Sequence, residues 1–387
     1  MQMQRDDLCD DTDGEWGDFS MKKERVFYYD LLKSIAMILV CCYHFSMAGT
    51  VGYTEPLAWS LVFRRALFGI SSIGVPIFFM VNGAILLNKN LNLEKHIKGM
   101  LKLLVQFYIW KLIMMLVFIY AWHLDGISKS QFVNGWLFFQ PIEGLDFSAL
   151  WFMPMLFSVH LIFPFFKAFF EHMSKRQIQY IYLVMAFIFL VFFAVNDLDA
   201  FTSIWPRTAV IHIDSLRTIC PFDPLWAVMV FYFLLGGLLQ RYKDKIRIHP
   251  VLLIFTFLLG MGLLTVEWYL RSRVLQGNWD SVFNGYSTFA AALMAASLFL
   301  LCAKIKNERV HKPTKAIIGT IGNNTLTVYY LHWILGWMFR DQISLWIYTY
   351  VEAGLLLNTV KALVLVVFCA CIGAIGRRIP IVKHLFT

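Results

Sequence analysis

The chain alternates long apolar runs with short polar connections, and the runs have the length that a membrane asks for. A helix needs roughly 17–25 predominantly apolar residues to cross the hydrocarbon core, and within such a helix every backbone N–H and C=O is satisfied internally. Ten stretches fit, at about 27–48, 67–87, 101–122, 149–170, 178–195, 224–240, 250–270, 285–303, 317–339 and 357–376. The eighth is alanine-rich and the second is interrupted by Gly74 and Pro76, so their signal is the weakest of the ten. The pattern predicts an all-α, polytopic integral membrane bundle of about ten transmembrane helices with the lipid bilayer as its solvent.

Composition agrees. The 387 residues are 59% hydrophobic and 15% charged, against roughly a quarter charged in soluble proteins, which leaves too little polar surface for a water-borne globule. The formal charge of +9 does not imply nucleic acid, because the basic residues form short clusters between apolar runs. With the N-terminus inside, the inner segments hold Lys22, Lys23 and Arg25, then Lys89 to Lys102, Lys167 to Arg176, Arg241 to Arg247, Lys304 to Lys315 and Arg377 to Lys383. The outer segments hold scattered bases such as Arg64, Lys129 and Arg271. The positive-inside rule therefore predicts both termini in the cytoplasm, in keeping with an even number of spans. The seven cysteines are odd in number and lack paired metal-ligand spacing, so neither a disulfide framework nor a metal site is expected.

Residues 1–20 differ from the rest: seven acids, one arginine and almost no apolar run. They are expected to be a disordered leader ahead of a membrane domain over 21–387, and Met21, which opens MKKER, is an alternative start. The first apolar run is too long for a cleavable signal peptide. The longest outer connection, about 196–223, mixes Trp205, His212, Asp214 and Arg217, a composition that suits a sugar-binding loop and equally any solvated loop.

Chemistry enters with the first span, YYDLLKSIAMILVCCYHF. At about 100° per residue, Lys33 and His44 lie roughly 60° and 40° from Asp30, so the three share one face of an otherwise apolar helix. Ionisable groups at membrane depth are costly and normally face a cavity or the bundle interior. At about 1.5 Å per residue, Asp30 and His44 are roughly 21 Å apart, one near the cytosolic mouth and the other in the outer half. The plainer alternative is that Asp30 and Lys33 pair to anchor the helix end while His44 makes an interhelical contact; three such groups on one face favour function.

These residues resemble the opening signature of the acyltransferase 3 family of membrane proteins, Asp-x-x-Arg/Lys with a histidine eleven positions after the base, here Asp30, Lys33 and His44. Three more segments follow in the family's order. Phe78-Phe79-Met80-Val81-Asn82-Gly83 resembles Phe-Phe-x-Ser-Gly, Leu150-Trp151-Phe152 with Pro164 resembles its Leu-Trp-Phe motif, and Tyr329-Tyr330-Leu331-His332 resembles Tyr-x-x-His. The departures are Lys33 where many members have arginine, which keeps charge without the bidentate fork, Asn82 for the usual serine, and His160 at a position that is often tyrosine.

The resemblance implies O-acylation, usually acetylation, of a sugar in surface polysaccharide, lipopolysaccharide or a related glycolipid. Acetyl-CoA is then the cytosolic co-substrate, with no permanently bound cofactor, and the setting is a bacterial inner membrane. On this reading His44 is the general base towards the acceptor hydroxyl, since an imidazole with a pKa of about 6.5 accepts a proton at neutral pH; an acyl-histidine intermediate is the rival. Lys33, held by Asp30, polarises the thioester or attracts phosphate. Lys95, Lys98, Lys102 and Asn82 are assigned to the donor, although a basic cluster at this position also follows from topology alone. Trp151, with Glu143 and Asp146, is assigned to the acceptor as a stacking indole flanked by hydrogen-bonding acids, its alternative being an interfacial belt residue. Tyr329 and His332 complete the acceptor side as a second polar wall, or are a buried hydrogen-bonded pair. His160, Lys111 and Lys361 are ionisable residues in spans with no assigned role. The competing classes are an exporter of polysaccharide or its precursor, for which two similar halves with matching broken helices would be expected, and an assembly scaffold, which leaves the polar face unexplained.

Overall fold

A computed structural model describes residues 26–45, 59–121, 123–124, 126–138, 140–145, 147–172, 174–184, 187, 224–274, 279–338 and 354–386. The acidic leader, the 196–223 connection and Asp146 lie outside them. The described residues fold into helices α1 (Phe27–Phe45), α2 (Trp59–Gly69), α3 (Gly74–Leu86), α4 (Leu93–Ala121), α5 (Lys129–Phe138), α6 (Phe152–His172), α7 (175–184), α8 (Pro224–Tyr242), α9 (Pro250–Tyr269), α10 (Phe289–Ala303), α11 (Lys312–Asn323), α12 (Thr325–Met338) and α13 (Gly354–Gly376). The β structure among them is a single isolated bridge, Ile142 to Leu145.

Local chemistry sets several helix starts. Ser128 and Gln131 form a reciprocal cap at the head of α5, Gln131 N–H donating to Ser128 Oγ (3.2 Å) and Ser128 N–H to Gln131 Oε1 (2.9 Å). Ser174 and Gln177 repeat the arrangement before α7. Thr288 caps α10 by accepting from Ala291 N–H at 3.1 Å.

Among the described residues six helical units are long and apolar enough to cross a bilayer: Val62–Leu86, Leu93–Ala121, Ala149–Phe169, Leu225–Tyr242, Pro250–Ser272 and Thr359–Gly376. The chain is thus an all-helical integral membrane protein over its described residues. The first of the six is α2 and α3 in series through a 3-10 turn at Ile70–Ile73, next to the predicted interruption at Gly74 and Pro76. Helix α1 is 19 residues long but falls outside the set, because Asp30, Lys33 and His44 dilute its apolar run. Helix α10 is an apolar helix of 15 residues. The stretch expected as one helix over 317–339 is two, α11 and α12, broken at Asn324, whose N–H turns back to Ile321 C=O at 2.9 Å. The run Gly319, Gly322, Asn323, Asn324 explains the break, since glycine and asparagine are poor helix formers. A further difference is α5, a helix inside what the apolar pattern leaves as a connection.

Helix α1 lies at the centre, packed on α3, α11 and α13 with further contacts to α10 and α12. Its Leu32, Ala36 and Cys41 are fully buried. Small residues bring backbones together at the tightest crossings. A Cβ on Gly83 of α3 would stand 1.7 Å from Phe233 C=O of α8, and one on Gly236 of α8 would stand 1.9 Å from Met80 C=O of α3.

Candidate active site

The polar stripe of α1 meets different surroundings at its two ends. At the N-terminal end Asp30 and Lys33 form an ion pair at 3.1 Å, the aspartate side chain 5% exposed and the lysine 23%. Helix α11 closes on this pair: a Cβ on Gly322 would stand 2.8 Å from Asp30 Cβ, and Ser34 Oγ donates to Asp30 C=O (2.7 Å) and Ile318 C=O (3.2 Å). Only a glycine at 322 lets the end of α11 lie against the carboxylate.

At the C-terminal end His44, half-buried in the last turn of α1, stands 5.4 Å from the ring of His332 and 4.9 Å, edge-on, from Trp333. The α12 break brings His332 here, because α12 starts afresh at Thr325 and presents Tyr329, His332 and Trp333 towards α1 and α6. His332 is fully buried, and its Nδ1 lies 2.9 Å from Val328 C=O. A carbonyl oxygen only accepts, so Nδ1 carries the proton and Nε2 the lone pair. The residues assigned separately to catalysis and to the acceptor are therefore neighbours.

Tyr329 links this pair to α6. Its hydroxyl donates to Ala149 C=O at 2.7 Å, in the turn Ser148–Trp151 that leads into α6, and its ring lies 5.5 Å from Phe152. Trp151, half-buried, packs on Tyr286 at 5.9 Å and Phe283 at 5.8 Å. Tyr43 leads back to His44: its hydroxyl donates to Asp280 Oδ2 at 2.5 Å, and its ring is 4.9 Å from that of His44. Sequence reasoning missed Tyr43, Asp280, Phe283 and Tyr286. Tyr43 was visible as the neighbour of His44, but no spacing or motif connects residue 280 to residue 43.

The other assigned residues lie elsewhere. Lys95, Lys98 and Lys102 are exposed on the first turns of α4, and Lys98 pairs with Glu94 at 2.5 Å. That end of α4 packs on α6, where His96 Nε2 lies 2.9 Å from His160 C=O and the two rings stack at 5.7 Å. Asn82 is half-buried and its amide donates to Phe78 C=O at 2.8 Å in its own helix. Glu143 is exposed in the turn closed by the Ile142–Leu145 bridge. Lys111 is fully buried in α4, its ammonium 5.9 Å from the ring of Phe147.

A cleft of about 940 Å³ opens on the 243–250 and 303–308 connections, with Tyr28, Lys243, Arg247, Lys304 and Lys306 on its walls. Tyr28 is roughly 160° around α1 from both Asp30 and His44. The cleft therefore opens on the side of α1 away from the polar stripe.

A family model described as an acyltransferase domain, acyltransferase 3, matches residues 26–375. No curated protein and no solved structure matches the chain. The match takes in the whole polar stripe of α1, the close α3–α8 crossing and the α12 histidine, and the chain belongs to the acyltransferase 3 family of membrane acyltransferases.

Proposed function

We propose that the protein transfers an acyl group, acetyl in the first instance, from cytosolic acyl-CoA to a sugar hydroxyl of a surface polysaccharide or glycolipid at the outer face of a bacterial inner membrane. The bundle has ten spans in this reading, with both termini inside. The observation that carries it is the placement of two histidines, His44 and His332, at the C-terminal end of a central helix whose N-terminal end holds the Asp30–Lys33 pair. Acetyl-CoA is too polar and too anionic to enter lipid, whereas the sugars being decorated are displayed outside; in this reading the donor reaches His44 along α1 from the end that holds Asp30 and Lys33.

His44, as a neutral imidazole, takes the proton from the acceptor hydroxyl as its oxygen attacks the thioester carbonyl. The tetrahedral intermediate collapses with cleavage of the C–S bond, the acyl group stays on the sugar oxygen, and the departing CoA thiolate recovers a proton. His332, with its lone pair fixed at Nε2 by the Val328 hydrogen bond, is suited to accept a hydrogen bond from the hydroxyl or from a neighbouring ring. Lys33 attracts the donor's phosphates, and Asp30 holds the ammonium in place. Lys95, Lys98 and Lys102 offer exposed positive charge for the nucleotide on the cytosolic side, and Asn82 lines the donor path. Trp151 and Tyr329 face the acceptor, with Glu143 at its edge.

The test is purified protein in lipid nanodiscs with acetyl-labelled acetyl-CoA. The expected result is slow thioester hydrolysis without acceptor and labelled sugar with it, both lost in His44→Ala at unchanged expression and monodispersity. Acetyl-CoA left untouched by the wild-type protein would favour a polysaccharide exporter.

A further inference from the structure

The side chains around His44 close into a circuit. From His44 it runs to His332 (5.4 Å), Tyr329 (6.2 Å), Phe152 (5.5 Å), Trp151 (6.5 Å) and Tyr286 (5.9 Å). Tyr286 stands 5.6 Å from Phe283, whose N–H donates to Asp280 Oδ1, and Asp280 returns through Tyr43 to His44. Three of the four sides come from α1, α12 and the head of α6, all within motif segments. The fourth, residues 279–286, lies outside every motif and has no assigned role.

That fourth side is built rather than incidental. Asp280 Oδ1 accepts from Val282 N–H (2.8 Å) and Phe283 N–H (3.3 Å), which fixes the turn, while Oδ2 holds the Tyr43 hydroxyl. Tyr286 C=O accepts from the buried Tyr232 hydroxyl at 3.0 Å, tying the turn to α8. A carboxylate has about four lone-pair directions; the three bonds leave one to accept from a ligand hydroxyl. Beside it Phe283 is 41% exposed, edge-on to Trp151 at 83° and 5.6 Å from Tyr286. An exposed ring braced by two others next to an anchored carboxylate is the chemistry that recognises a pyranose, one apolar face and a rim of hydroxyls.

We propose that residues 279–286 form the acceptor subsite, with Phe283 and Trp151 stacking on a sugar ring and Asp280 both orienting a hydroxyl and holding Tyr43, so that the sugar is held in register with His44. The inference rests on the acyl-CoA reading above and names where the acceptor sits.

The test uses wild type, Asp280→Asn and Phe283→Leu in nanodiscs with labelled acetyl-CoA and the methyl pyranosides of glucose, galactose, mannose and N-acetylglucosamine. Asp280→Asn preserves size, and the leucine, though smaller than the ring, preserves lipid-facing apolar character, so a ring that served only as a membrane anchor would be replaced without effect. The expected result is a KM for the preferred glycoside raised about tenfold in each variant, equivalent to ~1.4 kcal/mol, with the KM for acetyl-CoA within about twofold of the parent's. A glycoside KM that does not move, both KM values moving together, or no glycoside acetylated by a wild type that consumes acetyl-CoA, each overturns the subsite alone. A wild type that consumes no acetyl-CoA overturns the acyl-CoA reading first, and the subsite with it.

Discussion

Asp30 and Lys33 can be read as an anchor or as part of the chemistry, and the geometry allows the two roles to be separated. The carboxylate is almost wholly buried while the ammonium keeps partial access to solvent. Lys33→Ala should therefore destabilise by an amount between the ~1 kcal/mol of an exposed pair and the ~3 kcal/mol or more of a buried one. Adding Asp30→Asn removes the charge that was left behind, and the double variant should recover most of the lost melting temperature. Acetyl transfer should stay at least about tenfold down if the pair orders the donor, and return with stability if it is only an anchor. Beside the C-terminal end of α1, His332→Ala should lower turnover by about a hundredfold, within the ~10²–10⁴ range of general acid–base groups, with a smaller loss in His332→Gln, which keeps an amide near the Nε2 position. Single-turnover rates with saturating acetyl-CoA would read both effects. At this scale the sequence placed the stripe of α1 well, because helical periodicity relates residues within one helix. It could not relate His44 to His332, or Tyr43 to Asp280, because their proximity depends on how helices from opposite ends of the chain are arranged.

At the scale of the elements, the membrane-length runs were legible and their interruptions less so. Gly74 and Pro76 announced a discontinuity in the second span, and a 3-10 turn stands immediately before them. The break at Asn324 carried a comparable signal in Gly322, Asn323 and Asn324, but the surrounding apolar residues outweighed it when the stretch was judged by mean character. That break has a consequence for the site, since it ends α11 against Asp30 and restarts α12 in line with His44. The α3–α8 crossing offers a direct test of element packing. Each of Gly83 and Gly236 faces a carbonyl of the other helix at a distance no Cβ tolerates, so relief requires the helices to separate. Gly83→Val should cost about 1–3 kcal/mol or more by overpacking, seen as a lower melting temperature in detergent. Gly262, where an added Cβ would meet nothing within 4 Å, should accept alanine with little change in the same assay.

For the whole molecule, the site is meaningful only if the two ends of α1 face different compartments, and the distribution of lysine and arginine supplies the orientation. Helices α4 and α6 are each long enough to cross, and α5 lies between them; the positive-inside rule puts basic Lys95, Lys98 and Lys102 inside and so predicts α5 and Glu143 outside. The 243–250 and 303–308 connections, which carry Lys243, Arg247, Lys304 and Lys306, are predicted inside by the same logic, and the 279–286 turn outside with His44. In a cysteine-free background, single cysteines at Lys129 and Asn284 should react with an impermeant maleimide added to intact cells, whereas cysteines at Lys243 and Lys306 should react only after permeabilisation. The reverse pattern would put His44 and the 279–286 turn in the cytosol, on the same side as acetyl-CoA, and transfer across the membrane would lose its geometric basis while the bundle itself stood unchanged. Labelling at Asn284 is the most informative of the four, because it places the proposed acceptor turn and the outer end of α1 in one measurement.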